Sequence, residues 1–355
     1  MGSRKDWQGK RVLITGVCGT VGEELLRQVI QLQPREVIGI DNNESELFFL
    51  DQAYAGNDRV FLYLGDIRDR DKLMRKMRDV DIVLHAAALK HVILCERTPR
   101  DAVLSNILGA QNIIDAALAN GVERVLFTSS DKAVNPTNVM GTSKLMGERL
   151  MTAANAHRRG ASPVFASTRF GNVLGSRGSV IPLFLKQIRA GGPVTLTDPA
   201  MTRFIMTLED AVRLVLDTVF LAKGGEVFVT KMAVAGIKDL AEVMIEEVAP
   251  RFGHRSEDIS VTVIGSKAGE KLYEELMNDE ETRRTIELDR YFVVVPAFRS
   301  VYEDIEYEYD GCSEQGIDRP YNSSVEPVMS KEQLRQYLRD KNLLGTGHDI
   351  DEPQG

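Results

Sequence analysis

The sequence holds few cysteines, and they do not form a pattern. Cys18, Cys95 and Cys312 are scattered among 355 residues, and their spacing is not that of metal ligands. Three isolated thiols predict a reduced, cytoplasmic protein in which these side chains serve packing. They also argue against a structural zinc site, and we expect no metal.

Excess positive charge and long apolar runs are missing as well. The formal net charge is -8, which argues against a nucleic-acid-binding surface. We find no run approaching the roughly 18 consecutive apolar residues that a membrane span requires. We therefore expect neither a nucleic acid nor a membrane as a partner.

What the sequence does contain, in its first half, is an alternation of short β-rich runs with helical segments. This alternation predicts a parallel sheet covered by helices, and apolar runs such as Ile82–Leu84 suit strands that are buried on both faces. The class is α/β, with a Rossmann-type doubly wound sheet and a smaller α/β lobe. Strands are predicted at Arg11–Thr15, Glu36–Ile40, Val60–Tyr63, Asp81–His85, Arg124–Thr128 and Val164–Thr168.

A glycine-rich turn follows the first predicted strand. Gly16, Gly19 and Gly22 would let the backbone turn tightly, approach a pyrophosphate and pack the next helix on the strand. Thr20 and Val21 begin that helix, where free N–H groups favour an anion. Such glycines alone also fit an ordinary turn, so the prediction of a dinucleotide site needs a second signal.

That second signal is the carboxylate at the end of the next predicted strand. Asp41 lies about 20 residues beyond the glycine turn, where an acid hydrogen-bonds the ribose hydroxyls and repels a 2′-phosphate. The residue after it is Asn42 rather than an arginine. We therefore predict NAD rather than NADP as the cofactor. The alternative is that Asp41 only caps the strand end.

These features together resemble the extended short-chain dehydrogenase/reductase family. The resemblance implies that Asp66 and Ile67 lie at the adenine. It also implies that the small residues after the fourth strand, Ala86, Ala87 and Ala88, leave room for the cofactor. Residues 1–172 would form the NAD-binding domain, which 206–232 rejoins. Residues 173–205 and 233–345 would form the substrate lobe, and 346–355 a disordered tail.

The segment after the fifth predicted strand carries the candidate chemistry. Polar side chains there emerge at the carboxyl edge of the sheet, where ligands bind. Most members of the family have a tyrosine four residues before the lysine that corresponds to Lys144, but this chain has Met140. A thioether has no exchangeable proton, so Met140 cannot act as a base. Asp131 and Lys132 are the remaining candidates, unless they form only an ion pair.

Asp131-Lys132 and the residues that follow resemble the UDP-N-acetylglucosamine 4,6-dehydratases, in particular a methionine-containing branch that serves surface glycan biosynthesis. The resemblance implies that NAD takes hydride from C4 of the sugar and returns it to C6. Lys132 would be the C5 base and Asp131 the acid, while Ser130 would contact the C4 oxygen and Lys144 the nicotinamide ribose. Pro320–Ser323 looks more like the C5-inverting relatives, which leaves the stereochemistry open. The predicted catalytic set is Ser130, Asp131, Lys132, Met140 and Lys144.

Further polar residues are candidates for holding a UDP-sugar. Asn172, Arg177 and Ser179 lie in a glycine-rich loop before a helix, which suits a diphosphate. The resemblance implies that Asn172 contacts the diphosphate and that Ser179 and Val180 lie near the uridine. Lys90, Arg203 and Lys271 are candidate sugar or phosphate partners. Each of these basic residues could equally be a solvated side chain.

Two other functions stay open. A UDP-sugar 4-epimerase would use the same scaffold, but it normally needs the tyrosine that Met140 replaces. A non-catalytic NAD-binding module would not need Asp131, Lys132 and Lys144 together. The resemblance also implies a homo-oligomer, in which the helices at Pro99–Asn120 and Gly141–Ala156 pack against their copies.

Overall fold

The computed structural model describes residues 4–157, 162–176, 179–265, 269–298, 305–312 and 317–345. Arg177 and the predicted tail, 346–355, lie outside these residues. The chain divides into two compact units. Unit 1 comprises Met1–Phe170, Glu209–Lys231 and Leu276–Pro320, and unit 2 comprises Gly171–Leu208, Met232–Glu275 and Tyr321–Gly355.

Strands occur throughout the described part of the chain. They are β1 (Arg11–Thr15), β2 (Glu36–Asp41), β3 (Val60–Leu64), β4 (Ile82–His85), β5 (Arg124–Ser130), β6 (Val164–Phe170), β7 (Asn172–Val173), β8 (Val194–Leu196), β9 (Thr202–Met206), β10 (Val227–Thr230), β11 (Ala233–Gly236), β12 (Val261–Val263), β13 (Glu275–Met277), β14 (Thr285–Glu287), β15 (Tyr291–Val294) and β16 (Tyr321–Asn322).

The α-helices are α1 (Arg4–Trp7), α2 (Thr20–Gln31), α3 (Glu44–Tyr54), α4 (Arg70–Lys76), α5 (Val92–Arg97), α6 (Pro99–Ala102), α7 (Gly109–Asn120), α8 (Val139–Ala154), α9 (Val180–Arg189), α10 (Leu208–Leu221), α11 (Ile237–Val248), α12 (Asp279–Thr282) and α13 (Lys331–Asp340). A π-helical segment spans Val103–Leu108, and short 3₁₀ turns span Asp131–Ala133, Asn155–His157, Ala249–Phe252 and Ser256–Asp258.

The main sheet of unit 1 has, within the described residues, nine strands in the order β14-β15-β10-β6-β5-β4-β1-β2-β3. The strands from β10 to β3 in this order run parallel to one another. Strand β4 is fully buried along Ile82–Leu84, as expected for a strand covered by helices on both faces. The strand order is that of a doubly wound dinucleotide-binding fold, and the predicted fold class is confirmed.

The boundary between the units differs from the prediction at one segment. The predicted substrate lobe includes all of 233–345, whereas the structure places Leu276–Pro320 in unit 1. The physical reason is antiparallel pairing, because β15 adds to β10 and β14 adds to β15 at the edge of the main sheet. Glu209–Lys231 also belongs to unit 1, close to the predicted segment 206–232.

Unit 2 has its own small sheets and core. Strands β11, β9 and β7 form one sheet, and β8 pairs with β12 in another. The helices α9, α11 and α13 supply buried apolar side chains such as Phe184, Leu240 and Leu334. Helix α13 begins at a capping box, in which Ser330 and Gln333 satisfy each other's backbone N–H groups.

One helical segment is apolar enough to raise the question of a membrane. Pro99–Asn120 contains an 18-residue stretch with a mean hydropathy of 1.3, so by length and composition this helix could cross a bilayer. In the folded protein, 44% of that stretch is buried. The sequence expectation missed it because polar residues such as Asn106 and Gln111 interrupt the apolar run. Ala110, Ile113 and Ala117 of α7 are fully buried in the core of unit 1. Since a core helix passes the same test, the segment is weak evidence for a membrane.

Candidate active site

The glycine turn after β1 has a geometry that only glycine satisfies at two positions. Gly16 has φ +70°, and a β-carbon there would lie 2.7 Å from the α-carbon of Ala87. A β-carbon at Gly22 would overlap the carbonyl oxygen of Gly16. The turn thus lies against the Ala86–Ala88 segment, and α2 starts directly beneath it.

The start of α2 offers donors suited to a phosphate. Gly19 occupies the N-cap position and supplies no side-chain cap to this 12-residue helix. The Thr20 hydroxyl is buried and has no hydrogen-bond partner. Uncapped N–H groups, the positive end of the helix dipole and an unsatisfied hydroxyl together suit the diphosphate of a dinucleotide. These residues fit NAD.

Asp41, at the end of β2, contacts the same glycine turn. Its carboxylate accepts hydrogen bonds from the backbone N–H of Cys18 and of Asn43, both at 2.9 Å. The capping role considered as an alternative is therefore present. Each carboxylate oxygen has a second acceptor position, so the half-buried side chain can still receive a ribose hydroxyl.

The residues predicted at the adenine have partners of their own. Asp66 holds Arg68 through both carboxylate oxygens, and this hydrogen-bonded guanidinium lowers the pKa of Asp66. The side chain of Asn42 contacts Asp66 at 3.4 Å. Ile67 is buried in the core of unit 1, where its Cδ1 atom lies close to Gly109. Contact of Asp66 and Ile67 with an adenine stays a prediction.

His85 connects the ends of β4 and β1, although the sequence analysis assigned it no role. It ends β4 and is 1% exposed, and its Nδ1 lies 2.7 Å from the Thr15 hydroxyl at the end of β1. The Thr15 oxygen also accepts from the backbone N–H of Ala87 at 3.4 Å. Burial, with a smaller effect from Lys144, lowers the pKa of His85 to about 3. A neutral imidazole thus ties two strand ends together. The available signal was a polar residue directly after the apolar run Ile82–Leu84.

Three predicted catalytic residues meet at the end of β5. The Ser130 hydroxyl donates to Asp131 Oδ1 at 2.5 Å, and Lys132 Nζ lies 3.0 Å from Asp131 Oδ2. The Asp131 side chain is 2% exposed, whereas that of Lys132 is 32% exposed. The ion pair considered as an alternative is therefore formed. A hydroxyl, a carboxylate and an ammonium in one hydrogen-bonded chain can also pass protons to a substrate that meets the exposed amine.

Met140 lies in a different environment from that polar chain. It is 3% exposed and packs with Cys95 and Ala102 in a small hydrophobic cluster. It stands in the first turn of α8, which Asn138 caps by accepting from Gly141 N at 2.8 Å. Although Met140 belongs to the predicted catalytic set, the structure gives its side chain a packing role.

Lys144 is buried one turn further along α8. Its ammonium donates to the carbonyl oxygen of Thr128 at 2.8 Å and lies 4.7 Å from the centre of the Phe127 ring. Burial lowers the pKa of Lys144 to about 8, and the nearby Glu148 carboxylate partly opposes this shift. The helix therefore holds the lysine against the strand that ends in Ser130.

Unit 2 contains a cavity of about 300 Å³ that gathers four predicted substrate-binding residues, Asn172, Ser179, Val180 and Arg203. Ser179 precedes α9, and its hydroxyl is buried and has no hydrogen-bond partner. A helix start with an unsatisfied hydroxyl suits a phosphate oxygen. Among the described residues we find no group of three His, Cys, Asp or Glu side chains arranged to hold a metal ion.

The predicted basic partners differ in how accessible they are. The Arg203 guanidinium donates to the carbonyl oxygens of Thr202 and Lys271, and its Nε lies 3.2 Å from Glu274. Arg203 thus connects β9 to the segment around residue 272 through these hydrogen bonds. Lys271 contacts Glu275 at 2.9 Å, and Lys90 is exposed. The predicted contacts of these side chains with a diphosphate stay predictions.

Comparison with known proteins places the chain in a family. The family model described as polysaccharide biosynthesis protein matches residues 12–296. An uncharacterized membrane protein of Methanocaldococcus jannaschii is 45% identical over 338 residues, which is 95% of this chain and 98% of that one. A UDP-N-acetylglucosamine 4,6-dehydratase (inverting) of Campylobacter jejuni is 36% identical, covering 87% and 90% of the two chains. A UDP-glucose 4-epimerase of Rickettsia felis is also 36% identical, covering 93% and 95%.

Solved structures agree with this placement. Pen from Bacillus thuringiensis superposes with a TM-score of 0.88 at 41% identity, covering 96% of this chain and 99% of that one. A dTDP-glucose 4,6-dehydratase from Streptomyces venezuelae, solved with NAD bound, has a TM-score of 0.63 at 24% identity, covering 74% and 86%, and shows the fold alone. The fold and the glycine turn thus define an extended short-chain dehydrogenase/reductase. The chain belongs to the polysaccharide biosynthesis protein family, and the predicted family is confirmed.

Proposed function

We propose that the chain is an NAD-dependent enzyme acting on nucleotide sugars, of the dehydratase/epimerase type, and specifically a UDP-N-acetylglucosamine 4,6-dehydratase. The observation that carries the proposal is the chain from Ser130 through Asp131 to the part-exposed Lys132. It supplies an acid and a base where the family tyrosine is replaced by the packed Met140.

NAD would be held by unit 1. The turn at Gly16, Gly19 and Gly22 and the start of α2 would receive its diphosphate, and Asp41 its adenosine ribose. The chemistry that bound NAD would supply is hydride transfer, as acceptor of the hydride from C4 of the sugar and as donor of the hydride to C6. The Asp41 carboxylate favours NAD over NADP, because a 2′-phosphate would bring negative charge against it. Lys144 would hold the nicotinamide ribose through its ammonium group.

The protein's own residues would move the protons. Once C4 is a ketone, the hydrogen on C5 is acidic, and Lys132 Nζ would remove it. Lys132 must be deprotonated for this. The positive charges of Lys144 and of oxidised nicotinamide would favour its neutral amine form. Ser130 would hold the C4 oxygen through its hydroxyl, and Asp131 would take the proton of the C4 hydroxyl through Ser130. Asp131 would then give this proton to the departing C6 hydroxyl, which leaves as water. Lys132 would return a proton to C5 when hydride is added at C6. The product would be a UDP-4-keto-6-deoxy-N-acetylhexosamine.

The nucleotide would be held by unit 2. The cavity lined by Asn172, Ser179, Val180 and Arg203 has the size and the donors for part of a nucleoside diphosphate. Asn172 and the Ser179 hydroxyl would meet the phosphates, and Val180 would lie near the base. We propose further that the enzyme is cytoplasmic and acts as a homo-oligomer.

A 4-epimerase is the second candidate, because the Rickettsia felis relative matches nearly the whole chain. An epimerase needs only one group to take and return the proton on the C4 oxygen. The Ser130–Asp131 pair could do this. Lys132 would then have no essential part in the reaction.

The deciding experiment is incubation with UDP-N-acetylglucosamine and NAD in deuterated water, followed by mass spectrometry and NMR. We expect a product that has lost one water, bears a ketone at C4 and carries deuterium at C5, and NMR also gives the C5 configuration. A product of unchanged mass would favour the epimerase, and NAD binding without turnover would favour a non-catalytic module. A dehydrated product that lacks the C4 ketone would contradict the return of hydride to C6.

Substitution of Lys132 tests the assigned base. Lys132→Ala should lower kcat by about 10²- to 10⁴-fold, as is usual for loss of a general base. The control is Lys238→Ala, since Lys238 is an exposed lysine in unit 2 that forms a surface pair with Glu242. Undiminished turnover by Lys132→Ala would refute the mechanism.

A further inference from the structure

The π-helical turn at Val103–Leu108 places one polar side chain in the interior of unit 1. Asn106 is the buried residue of this turn, with 1% of its surface exposed. A π turn holds one more residue than the α-helical turns beside it, and such turns are frequent at functional sites. Ala102 before the turn and Ala110 after it are also buried, so Asn106 faces the interior together with them. The proposed reaction gives Asn106 no part.

The Asn106 side-chain amide makes three hydrogen bonds. Its Oδ1 accepts from the backbone N–H of Leu89 at 2.8 Å, and its Nδ2 donates to the carbonyl oxygen of Leu89 at 3.0 Å. One side chain thus holds both backbone groups of one residue, as paired strands hold each other. Nδ2 also donates to the Ser143 hydroxyl at 2.8 Å, and this hydroxyl donates to the carbonyl oxygen of Met140 at 2.7 Å. Because Ser143 gives its single proton to Met140, the amide must turn its NH₂ group toward Ser143.

Leu89 lies in the segment between β4 and α5, which has no regular secondary structure. At the start of this segment, the backbone N–H of Ala86 donates to the carbonyl oxygen of Thr15 at 3.2 Å. Three residues later Asn106 holds Leu89, and the exposed Lys90 follows directly. Backbone groups that are bonded to buried protein groups open less readily than those bonded to water. The segment is therefore fixed on both sides of the small residues that it contains.

We propose that Asn106 is a positioning residue for the nucleotide sugar, which acts by holding the backbone that carries Lys90. This inference rests on the proposed function, in which Lys90 is a candidate partner of the sugar or its diphosphate. Lys90 is joined to Leu89 by one peptide bond, so a fixed Leu89 backbone restricts where the lysine side chain can reach. The anchor is Ser143 on α8, which is 2% exposed. Asn106 therefore sets the spacing between Lys90 and α8.

The test is a double-mutant cycle of Asn106→Ala and Lys90→Ala, with steady-state kinetics on UDP-N-acetylglucosamine in the presence of NAD. We expect Asn106→Ala to raise the KM for the nucleotide sugar by about tenfold, because a displaced Lys90 loses a charge-assisted contact. The Kd for NAD, measured by calorimetry, should change by less than about twofold. In the Lys90→Ala background, Asn106→Ala should raise KM by no more than about twofold further, since it acts through that lysine.

Asn120→Ala is the matched control on the same run of helix. Asn120 ends α7, and its amide likewise donates to two backbone carbonyl oxygens, those of Met74 at 3.2 Å and Ala116 at 2.8 Å. Its substitution should lower stability without changing KM for the nucleotide sugar. If Asn106→Ala does not fold, Asn106→Ser takes its place, because its hydroxyl keeps the buried position polar but is too short to bridge both backbone groups of Leu89.

Three results would overturn the proposal. They are an unchanged KM in Asn106→Ala, effects of Asn106→Ala and Lys90→Ala on KM that simply multiply, and an equal rise of KM in Asn120→Ala. Hydrogen exchange gives a readout without substrate, and amide exchange in residues 86–91 should become about five- to tenfold faster in Asn106→Ala. Unchanged exchange there would mean that Asn106 does not hold Leu89.

Binding measurements separate this proposal from the proposed reaction. A wild-type protein that binds UDP-N-acetylglucosamine without dehydrating it would remove the reaction, and the same cycle is then read from the Kd of the nucleotide sugar. A Kd that rises in Asn106→Ala but not further in the double variant would leave the role of Asn106 standing. A wild-type protein that does not bind the nucleotide sugar would overturn both.

Discussion

The carbonyl oxygen of Lys132 lies so close to the α-carbon of Gly141 that a β-carbon at position 141 would overlap it. This contact packs the first turn of α8 directly on the backbone of the proposed base. The helix that carries Lys144 and the turn that carries Lys132 are therefore held together by a glycine.

Gly141→Ala should displace the Lys132 backbone. We expect a loss of stability of about 1–3 kcal/mol, typical of overpacking, and a fall in kcat larger than the change in KM for NAD. Urea denaturation and steady-state kinetics measure the two effects. Gly56→Ala is the control, since nothing lies within 4 Å of a β-carbon at that position. Equal behaviour of the two variants would mean that this contact is unimportant.

Met140→Tyr introduces the tyrosine that most family members have at this position into a small hydrophobic cluster that packs around a methionine side chain. Because Met140 packs with Cys95 and Ala102, the larger ring should destabilise the fold by about 1–3 kcal/mol without raising turnover. Met140→Leu should cost less than about 1.5 kcal/mol and keep most of the activity. Faster dehydration by the tyrosine variant, or an inactive but folded leucine variant, would show that position 140 takes part in the chemistry.

The buried Lys144 should make stability depend on pH in alkaline solution. Its pKa is about 8 in the folded protein and 10.5 in its ordinary state. Between these values the unfolded chain binds more protons, so the contribution of this residue to stability rises with pH from 8 to 10.5. The total is on the order of 3 kcal/mol. It is measured as the difference between wild type and Lys144→Met in urea denaturation across this range, and a flat difference would contradict it.

Asp41→Asn tests the choice of cofactor. The amide keeps an acceptor for the Cys18 N–H group but loses the negative charge that binds a ribose diol and repels a 2′-phosphate. We expect the Kd for NAD to rise by about tenfold and the preference over NADP to shrink. Calorimetric titration with both nucleotides measures this. Asp58→Asn is the control, because Asp58 is exposed and its substitution should leave both affinities unchanged. Unchanged affinities in Asp41→Asn would mean that the Asp41 carboxylate only caps the strand.

Local patterns were sufficient for the parallel strands β1 to β6 of the main sheet and for the proposed catalytic turn after β5. The apolar run at Ile82–Leu84, the glycines from Gly16 to Gly22 and the polar residues after β5 each carry their meaning within a few neighbours along the chain. Backbone sterics and strand burial act at that range, so the Rossmann-type class and the meeting of Ser130, Asp131 and Lys132 could be predicted.

Contacts between residues far apart in the chain could not be predicted in this way. Strands β14 and β15 join the main sheet by pairing back to β10, and no local pattern distinguishes that edge from a place in the second unit. Arg203 reads as a free cation in the sequence, but carbonyl oxygens near residue 272 use its donors. The pairing of Arg169 with Glu148 and Glu281 likewise exists only after folding, because these three residues lie far apart along the chain. The residue types thus specify which chemistry is possible, and the packing of distant segments decides which side chains carry it out.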